Sequence, residues 1–440
     1  MATISHTDSA LLLLLRRSLF GSKEAMVLSR DEWRAVIRAS YDQAVLPLAL
    51  DGTEGLPSLS DGELLLAWQQ MAVRLQMQNE RLFLLQDKIL SLLNAGGITA
   101  VVLKGSAAAA AYPKPSLRTM GDIDLLVPET QLDACKVLLI QNGFRAEKRG
   151  KADDHHIGFL SEDGQKAELH FTLGGIPKEG PAADKLRSIL SEATRTAVTK
   201  EVDGHVFSAP TPLVHSLVLL VHTASHLSSS GIGIRHLLDW ALFVEEELSP
   251  DKMSAQKRTS ILKTWRQCGL LRFAKLLSLA AAKAFDLPVR PWFDKENEQE
   301  AEALLGDFLD GGNLGKIRYQ KNFGGGLVTG KGALFAPDAP LAVRMWRNVV
   351  ISTEKTFPSV KKHRILYVGA LPCNLVCQVV RLAKKKQLFT FSKTVKNAKQ
   401  RLEMIDSLAF FKTTERDIQQ KKKPTVAPNC EKSEGAPKEE

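Results

Sequence analysis

Cysteine is scarce in this chain: five in 440 residues, an odd number and mostly far apart. That excludes a disulfide framework of the secreted kind and leads to the expectation of reduced thiols in a cytoplasm. Cys373 and Cys377 have no His or Cys nearby to complete a zinc set. Long apolar runs are also missing. The run at residues 10–15 has Asp8 in front and Arg16-Arg17 behind. It is too short for a signal-peptide core and lacks a basic lead and a cleavage site. Ser9 is a candidate cap for a helix starting there. No stretch reaches the roughly 18 unbroken apolar residues of a spanning helix. The closest, residues 365–380, is interrupted by Pro372, Asn374 and Gln378. It reads as a packed helix pair broken at Pro372, with peripheral membrane contact by a basic amphipathic segment as the rival reading. No repeat of fixed period is present. The glycine-rich "NFGGGLVTGKG" lacks the G-x-x-x-x-G-K-[ST] spacing and a preceding strand, so it reads as a mobile loop.

What is present is ordinary material for a globular protein of two or three domains: 44% hydrophobic and 25% charged residues. The net charge of +10 is not spread evenly. Residues 355–423 hold 17 Lys and Arg against 4 acids, a local +13, so the rest of the chain sums to −3. The tail beyond about Lys412 is polar and poor in large apolar residues, the composition of a disordered solubilising extension. The basic charge therefore does not argue for template nucleic acid as a partner.

The apolar spacing predicts a helix over residues 64–93, with room for one break, stopped by Asn94-Ala95-Gly96-Gly97. A buried strand over 98–103 follows, then an alanine-rich helix over 106–112 ended by Pro113 and Pro115. Next come a strand over 122–127, a helix over 132–142, and strands over 157–160 and 166–172 joined by a turn. From Pro212 the pattern turns helical, with helices expected over 213–227, 235–248 and 265–285. The expected class is α+β: a small mixed sheet between N-terminal and C-terminal helical regions. The corresponding divisions are residues 1–95, a core at 96–210, helices at 211–390 and a basic tail at 391–440.

The chemistry concentrates in "VVLKGSAAAAAYPKPSLRTMGDIDLLV". Asp122 and Asp124 stand at i and i+2 of a strand that otherwise reads as buried, so both carboxylates share one face. "KAELHF" places Glu168 and His170 on one face of a later strand. If the strands are neighbours, three carboxylates converge, and divalent cations are the usual compensation. All-oxygen ligands favour magnesium or manganese over zinc. Upstream, Gly105 permits close approach of a bulky anion, and the amides after it, from Ser106 on, suit a phosphate. Lys104 and Arg118 add positive charge nearby, although Arg118 has an equal reading as an ion-pair partner of Asp122 or Asp124. His170 reads either as a substrate contact and proton carrier or as a packed, hydrogen-bonded histidine. His215, His222 and His226 fall on one helical face with no carboxylate or cysteine to complete a metal set, so they read as packing or substrate contacts. Arg235 and Asp239, four apart, read as a structural pair or as acceptor-side groups. "DDHH" at Asp153 to His156 sits in an expected loop near the cleft.

"LKGS…GDIDLLV…AELHF" resembles the nucleotidyltransferase fold of the DNA polymerase β superfamily, which pairs a Gly-Ser step with an Asp-x-Asp strand and a third acid on a later strand. More narrowly, the chain resembles a bacterial family of uncharacterised nucleotidyltransferases related to those encoded beside polysaccharide and peptide-modification genes. The narrower likeness is carried by "YPKPSLRTMGDIDLLV", "ELH", "LLVHTASH", "IRHLLDWALF", "GNLG" and "FPSVKKHRILYV". It runs in order from about Leu11 to about Lys386. The resemblance implies that Gly105 and Ser106 hold the β- and γ-phosphates of a nucleoside triphosphate. It implies that Asp122 and Asp124 bind magnesium, and that Glu168 shares a metal and helps deprotonate an acceptor hydroxyl. That oxygen would attack the α-phosphorus and release pyrophosphate. One departure is the spacing: fifteen residues separate Ser106 from Asp122, slightly more than is usual in the superfamily. Three functions remain open: nucleotidyl transfer to an acceptor of unknown identity, γ-phosphoryl transfer on the same site, and a non-catalytic nucleotide-binding module.

Overall fold

The computed structural model describes residues 4–56, 61–147, 155–228, 231–293, 297–312, 340–384, 399 and 401–414. Three N-terminal helices, α1 (His6–Phe20), α2 (Arg30–Asp42) and α3 (Leu46–Asp51), precede a 34-residue helix, α4 (Gly62–Ala95). The cap of α1 is Ser5 rather than Ser9, its side chain accepting from the Asp8 amide at 3.1 Å. α4 has no break, and it serves two cores. Trp68 and Ala72 near its start pack with the helical mass, while Leu82, Phe83, Ile89 and Leu93 pack under the sheet.

The sheet holds β1 (Val101–Val102), β2 (Ile123–Leu126), β3 (Arg145–Ala146), β4 (His156–Leu160) and β5 (Lys166–His170) in the order β1-β2-β5-β4-β3. Only β2 and β5 run parallel. Between β1 and β2 the alanine run forms a single helical turn, α5 (Ser106–Ala109). It is shorter than the expected 106–112 because Pro113 disfavours helical geometry in the residue before it. α6 (Leu132–Gln141) leads from β2 towards β3. α7 (Pro181–Leu190) and a hairpin of β6 (Val198–Val202) and β7 (His205–Ala209) complete this part.

The C-terminal helices are α8 (Pro212–Leu227), α9 (Ile234–Glu247), α10 (Ala255–Gln267), α11 (Leu271–Phe285), α12 (Glu298–Gly311), α13 (Leu341–Thr356) and α14 (Tyr367–Lys384). The single helix expected over 265–285 is interrupted at Gly269, whose φ of +63° is left-handed. A Cβ there would stand 2.5 Å from the backbone of Phe411, so the break is fixed by a close crossing of distant chain. α14 runs through Pro372 without the expected break. Asn374, buried on α14, ties it to α13 by donating to the Thr353 hydroxyl at 3.1 Å. The tail expected from residue 391 is corrected in part. Residues 401–407 are helical, Ile405, Leu408 and Phe410 enter the main core, and Arg401 makes a buried bidentate pair with Asp307. The remainder of the tail, the glycine-rich stretch and both aspartates of "DDHH", Asp153 and Asp154, lie outside the described residues.

α1–α3 share one core with α8–α12, so the two helical regions that flank the sheet in sequence are one body in space. The sheet's two faces belong to different cores. Ile123, Leu125, Ala167 and Leu169 face α4 and α6, while Leu126 faces the helical body. Side chains alternate along a strand, so Asp124 lies on the same side as Leu126, at the seam between the two cores. Among the described residues no helix is long and apolar enough to cross a membrane.

Candidate active site

The strand register decides which acids meet. Parallel pairing sets Asp124 opposite Glu168 and Leu126 opposite His170, and β4 adds His156 opposite His170. Asp122 sits just ahead of β2, on the same side as Asp124. Asp122, Asp124 and Glu168 all line a cavity of about 430 Å³ between the sheet and helices α8 and α9. A second cavity of about 230 Å³ adjoins it, sharing Lys104, Glu168, His222 and His226 and reaching His155 and His170.

The three carboxylates have different surroundings. Asp124 is 4% exposed and accepts from Lys104 at 3.0 Å and from His170 at 2.9 Å. Burial alone would raise its pKa, but the two cationic partners outweigh burial and hold it below the usual carboxylate range. Glu168 meets Lys166 at 2.5 Å and His170 at 3.3 Å. Against the effect of burial, those hydrogen bonds lower it to about 2. Asp122 has no such partner: burial, then repulsion from Asp124 and Glu168, push it up to about 6. His170 is raised despite burial, because it donates to two carboxylates. Ligand atoms of Asp124, Glu168 and His170 lie within 4.8 Å of one another, a set that could hold a cation. The expected metal set was Asp122, Asp124 and Glu168. Asp124 and Glu168 stand in this group with His170, and Asp122 lines the same cavity close enough to be repelled by both of their charges.

The Gly-Ser corner follows β1. Gly105 has φ +60°, closed to most side chains, and its α-carbon faces the cavity with the Asp122 carbonyl 3.8 Å from where a Cβ would be. The fifteen intervening residues therefore loop out and return without drawing the corner away from the acids. Ser106 is placed differently from expectation: its hydroxyl donates to Gln86 on α4 at 2.7 Å, and the side chain is 3% exposed. Its hydroxyl serves the helix, leaving Gly105 and Lys104 at the cavity.

The opposite wall is helical. Arg118 lines it, but its guanidinium is committed, making a fork with Asp239 at 2.7 Å and 2.7 Å. The Tyr112 hydroxyl donates to the same carboxylate at 2.7 Å. Arg118 was expected to touch phosphate or to pair with Asp122 or Asp124. Its partner is instead Asp239, 121 residues away in sequence, a carboxylate buried beside it on α9. The expected Arg235–Asp239 pair is displaced by this pairing, and Arg235 donates to the Thr119 carbonyl at 2.6 Å. His222 and His226 line the cavity with His236, their rings 4.5–6.2 Å apart. Burial holds His222 and His236 far below the usual histidine pKa, so they are neutral there. His215 lies away from the cavity, edge-on to Phe243 at 5.4 Å.

Two residues of α4 that the motif reading missed position the site. The Asn79 side chain donates to the Ser116 and Arg118 carbonyls at 2.8 Å each and accepts from the Met120 amide at 2.9 Å. Gln86, seven residues on, receives Ser106. The available signal was two amides in a heptad series, Ala72, Asn79, Gln86 and Leu93, whose outer members are apolar and whose four members are all buried. A polar residue in a buried stripe must find a partner, and here the partners are the two loops that carry the chemistry.

A family model described as uncharacterised nucleotidyltransferase matches residues 29–286, more than half of the chain. The chain belongs to that family. The match covers α2 to α11 and includes every group lining the two cavities. "GNLG" and "FPSVKKHRILYV" fall outside it, so the likeness they were thought to carry is not part of the matched span. No curated protein and no solved structure matches the chain.

Proposed function

We propose that this nucleotidyltransferase-family protein moves a nucleoside monophosphate from a nucleoside triphosphate onto a hydroxyl of an acceptor, with magnesium or manganese as cofactor. The observation that carries this reading is the register of β2 against β5. It sets Asp124 opposite Glu168, with Asp122 one step ahead, around a cavity that the Gly105 backbone also lines.

The donor set fits a hard divalent cation: carboxylate oxygens with one imidazole, and a buried Asp122 whose raised pKa marks negative charge lacking a counter-ion. Asp124, Glu168 and Asp122 would hold the ion, which when bound supplies charge neutralisation to the triphosphate and acidity to the acceptor hydroxyl. The chain's own residues do the rest. His170 and Lys104 fix the Asp124 carboxylate in orientation, as partners to a ligand commonly do. Glu168, held ionised by His170 and Lys166, is a weak base, so it would take the acceptor proton with the bound ion lowering that hydroxyl's own pKa. Gly105 lets the phosphate chain approach the backbone. Free, buried Cys135 and Cys268 accord with a reducing cytoplasm, where nucleoside triphosphates are abundant.

The test is label transfer with lysate fractions as acceptors. Incorporation from [α-32P] but not [γ-32P] nucleotide, lost in Asp122→Asn and Asp124→Asn, supports the proposal. Incorporation only from the γ label assigns γ-phosphoryl transfer instead. No incorporation together with no magnesium-dependent triphosphate binding leaves neither reaction standing.

A further inference from the structure

Two guanidinium groups, Arg118 and Arg235, line the helical wall of the larger cavity, Arg118 buried and Arg235 partly buried with its Nε enclosed, and one carboxylate stands between them. Asp239 is fully used. Arg118 forks onto its two oxygens, and Tyr112 donates to one of them. Arg235 is left with a backbone carbonyl, that of Thr119, and with a buried Nε–H that has no partner. Among the described residues no carboxylate lies within ion-pair distance of Arg235. The neighbouring imidazoles of His222 and His236 are neutral and offer no counter-charge. A partly buried guanidinium with an enclosed, unpartnered N–H and no anion of its own has given up solvation that an anionic ligand in the cavity can restore. The group is a planar fork of N–H donors, suited to bidentate recognition of phosphate or carboxylate. It stands on α9, donates to the Thr119 carbonyl of the loop that leads to Asp122, and lines the same cavity as the acids.

We propose that Arg235 is the anchor of an oxyanion subsite of the phosphate class, on the acceptor-facing wall opposite Asp122, Asp124 and Glu168. The anion belongs either to the triphosphate itself or to the acceptor, and both sources share the recognition chemistry. In either case the wall repels cations. Its only described carboxylate is paired with Arg118, so at this wall a group carrying phosphate or carboxylate is favoured over a cationic one. Only the naming of those two sources rests on the nucleotidyl-transfer reading; the anion binding does not.

The experiment is calorimetric titration of the full chain with inorganic phosphate at constant ionic strength, chloride being the replacement anion. The wild type should bind phosphate, Arg235→Gln should bind about tenfold to a hundredfold more weakly, and Arg235→Lys should fall between, since it keeps charge without the fork. Repeating the wild-type titration with magnesium and a saturating non-hydrolysable triphosphate separates the sources. Blocked binding assigns the subsite to the nucleotide, and persistent binding assigns it to the acceptor. If Arg235→Gln does not fold, the wild-type and Arg235→Lys arms still decide. Absence of phosphate binding to the wild type, or equal binding by wild type and variant, overturns the proposal. Phosphate binding through Arg235 without label transfer would remove the nucleotidyl-transfer reading and leave this subsite. Label transfer with phosphate indifferent to Arg235 would do the reverse.

Discussion

The two walls of the cavity carry similar residues and handle charge in opposite ways. On the sheet wall three cations stand beside three carboxylates, but they hydrogen-bond Asp124 and Glu168 and leave Asp122 without one. Their cations, Lys104, His170 and Lys166, approach from the cavity edge or the strand, and Asp122 is left with its pKa pushed up to about 6. On the helical wall, Arg118, Asp239 and Tyr112 close a buried set among themselves. An unbalanced wall stores free energy that a ligand can recover, whereas a balanced wall holds shape. On the proposed function the sheet wall receives a cation and the helical wall stays where it is, with Arg235 as its exception.

The largest expected effect breaks the first wall. Asp124→Asn should cut label transfer by at least about a thousandfold while near-ultraviolet and far-ultraviolet circular dichroism remain native, because the loss is of charge at unchanged shape. A variant that keeps more than a tenth of the activity would show that the acids are not the reacting centre.

The second breaks the other wall through stability. Arg118→Met leaves Asp239 charged and buried, at a cost of about 3–5 kcal/mol in urea unfolding. The double change Arg118→Met with Asp239→Leu should recover most of that loss, since no unpaired charge remains. If the double variant is as unstable as the single one, the pair is not the source of the stability.

Much of this contrast was readable in the chain, and the unread part has a common cause. Asp122, Asp124, Glu168 and His170 were legible because strand alternation is local: two residues along a strand return to the same face whatever the rest of the molecule does. The mixed sheet and the helical regions followed from periodicity in the same way. The partner of Arg118 was not legible, because Asp239 is 121 residues away and equally plausible acids lay close by. The break at Gly269 depends on Phe411 crossing it, which no local pattern encodes. Ser106 reads as a phosphate ligand from its place after Gly105 at a helix start, but its hydroxyl meets Gln86 across the core.

A third change probes the link between the walls. Asn79→Ala leaves two carbonyls and the Met120 amide without their side-chain partner, which should cost about 2–3 kcal/mol. It should also lower label transfer roughly tenfold, because the loop that presents Asp122 loses its tether. Unaltered activity at lowered stability would confine Asn79 to a structural role.

The smallest effect separates the walls by pH. Asp122 titrates higher when folded than when unfolded, so between its unfolded value and about pH 6 the folded state holds the extra proton. Its contribution to stability is therefore complete at low pH and is lost as pH rises through about 6. In the presence of a chelator, Asp122→Asn should exceed wild type by about 1–2 kcal/mol at pH 8, and the gain should vanish near pH 4. Asp239→Asn should show no such gain at either pH.

The most direct measurement is a crystal structure with manganese and a non-hydrolysable nucleoside triphosphate, read at the manganese absorption edge. The account predicts an anomalous peak within bonding distance of Asp124 and at least one of Asp122 and Glu168, with the triphosphate running past Gly105. A nucleotide bound elsewhere, or a metal that avoids the sheet wall while Lys104 and His170 keep their hold on Asp124, would contradict it.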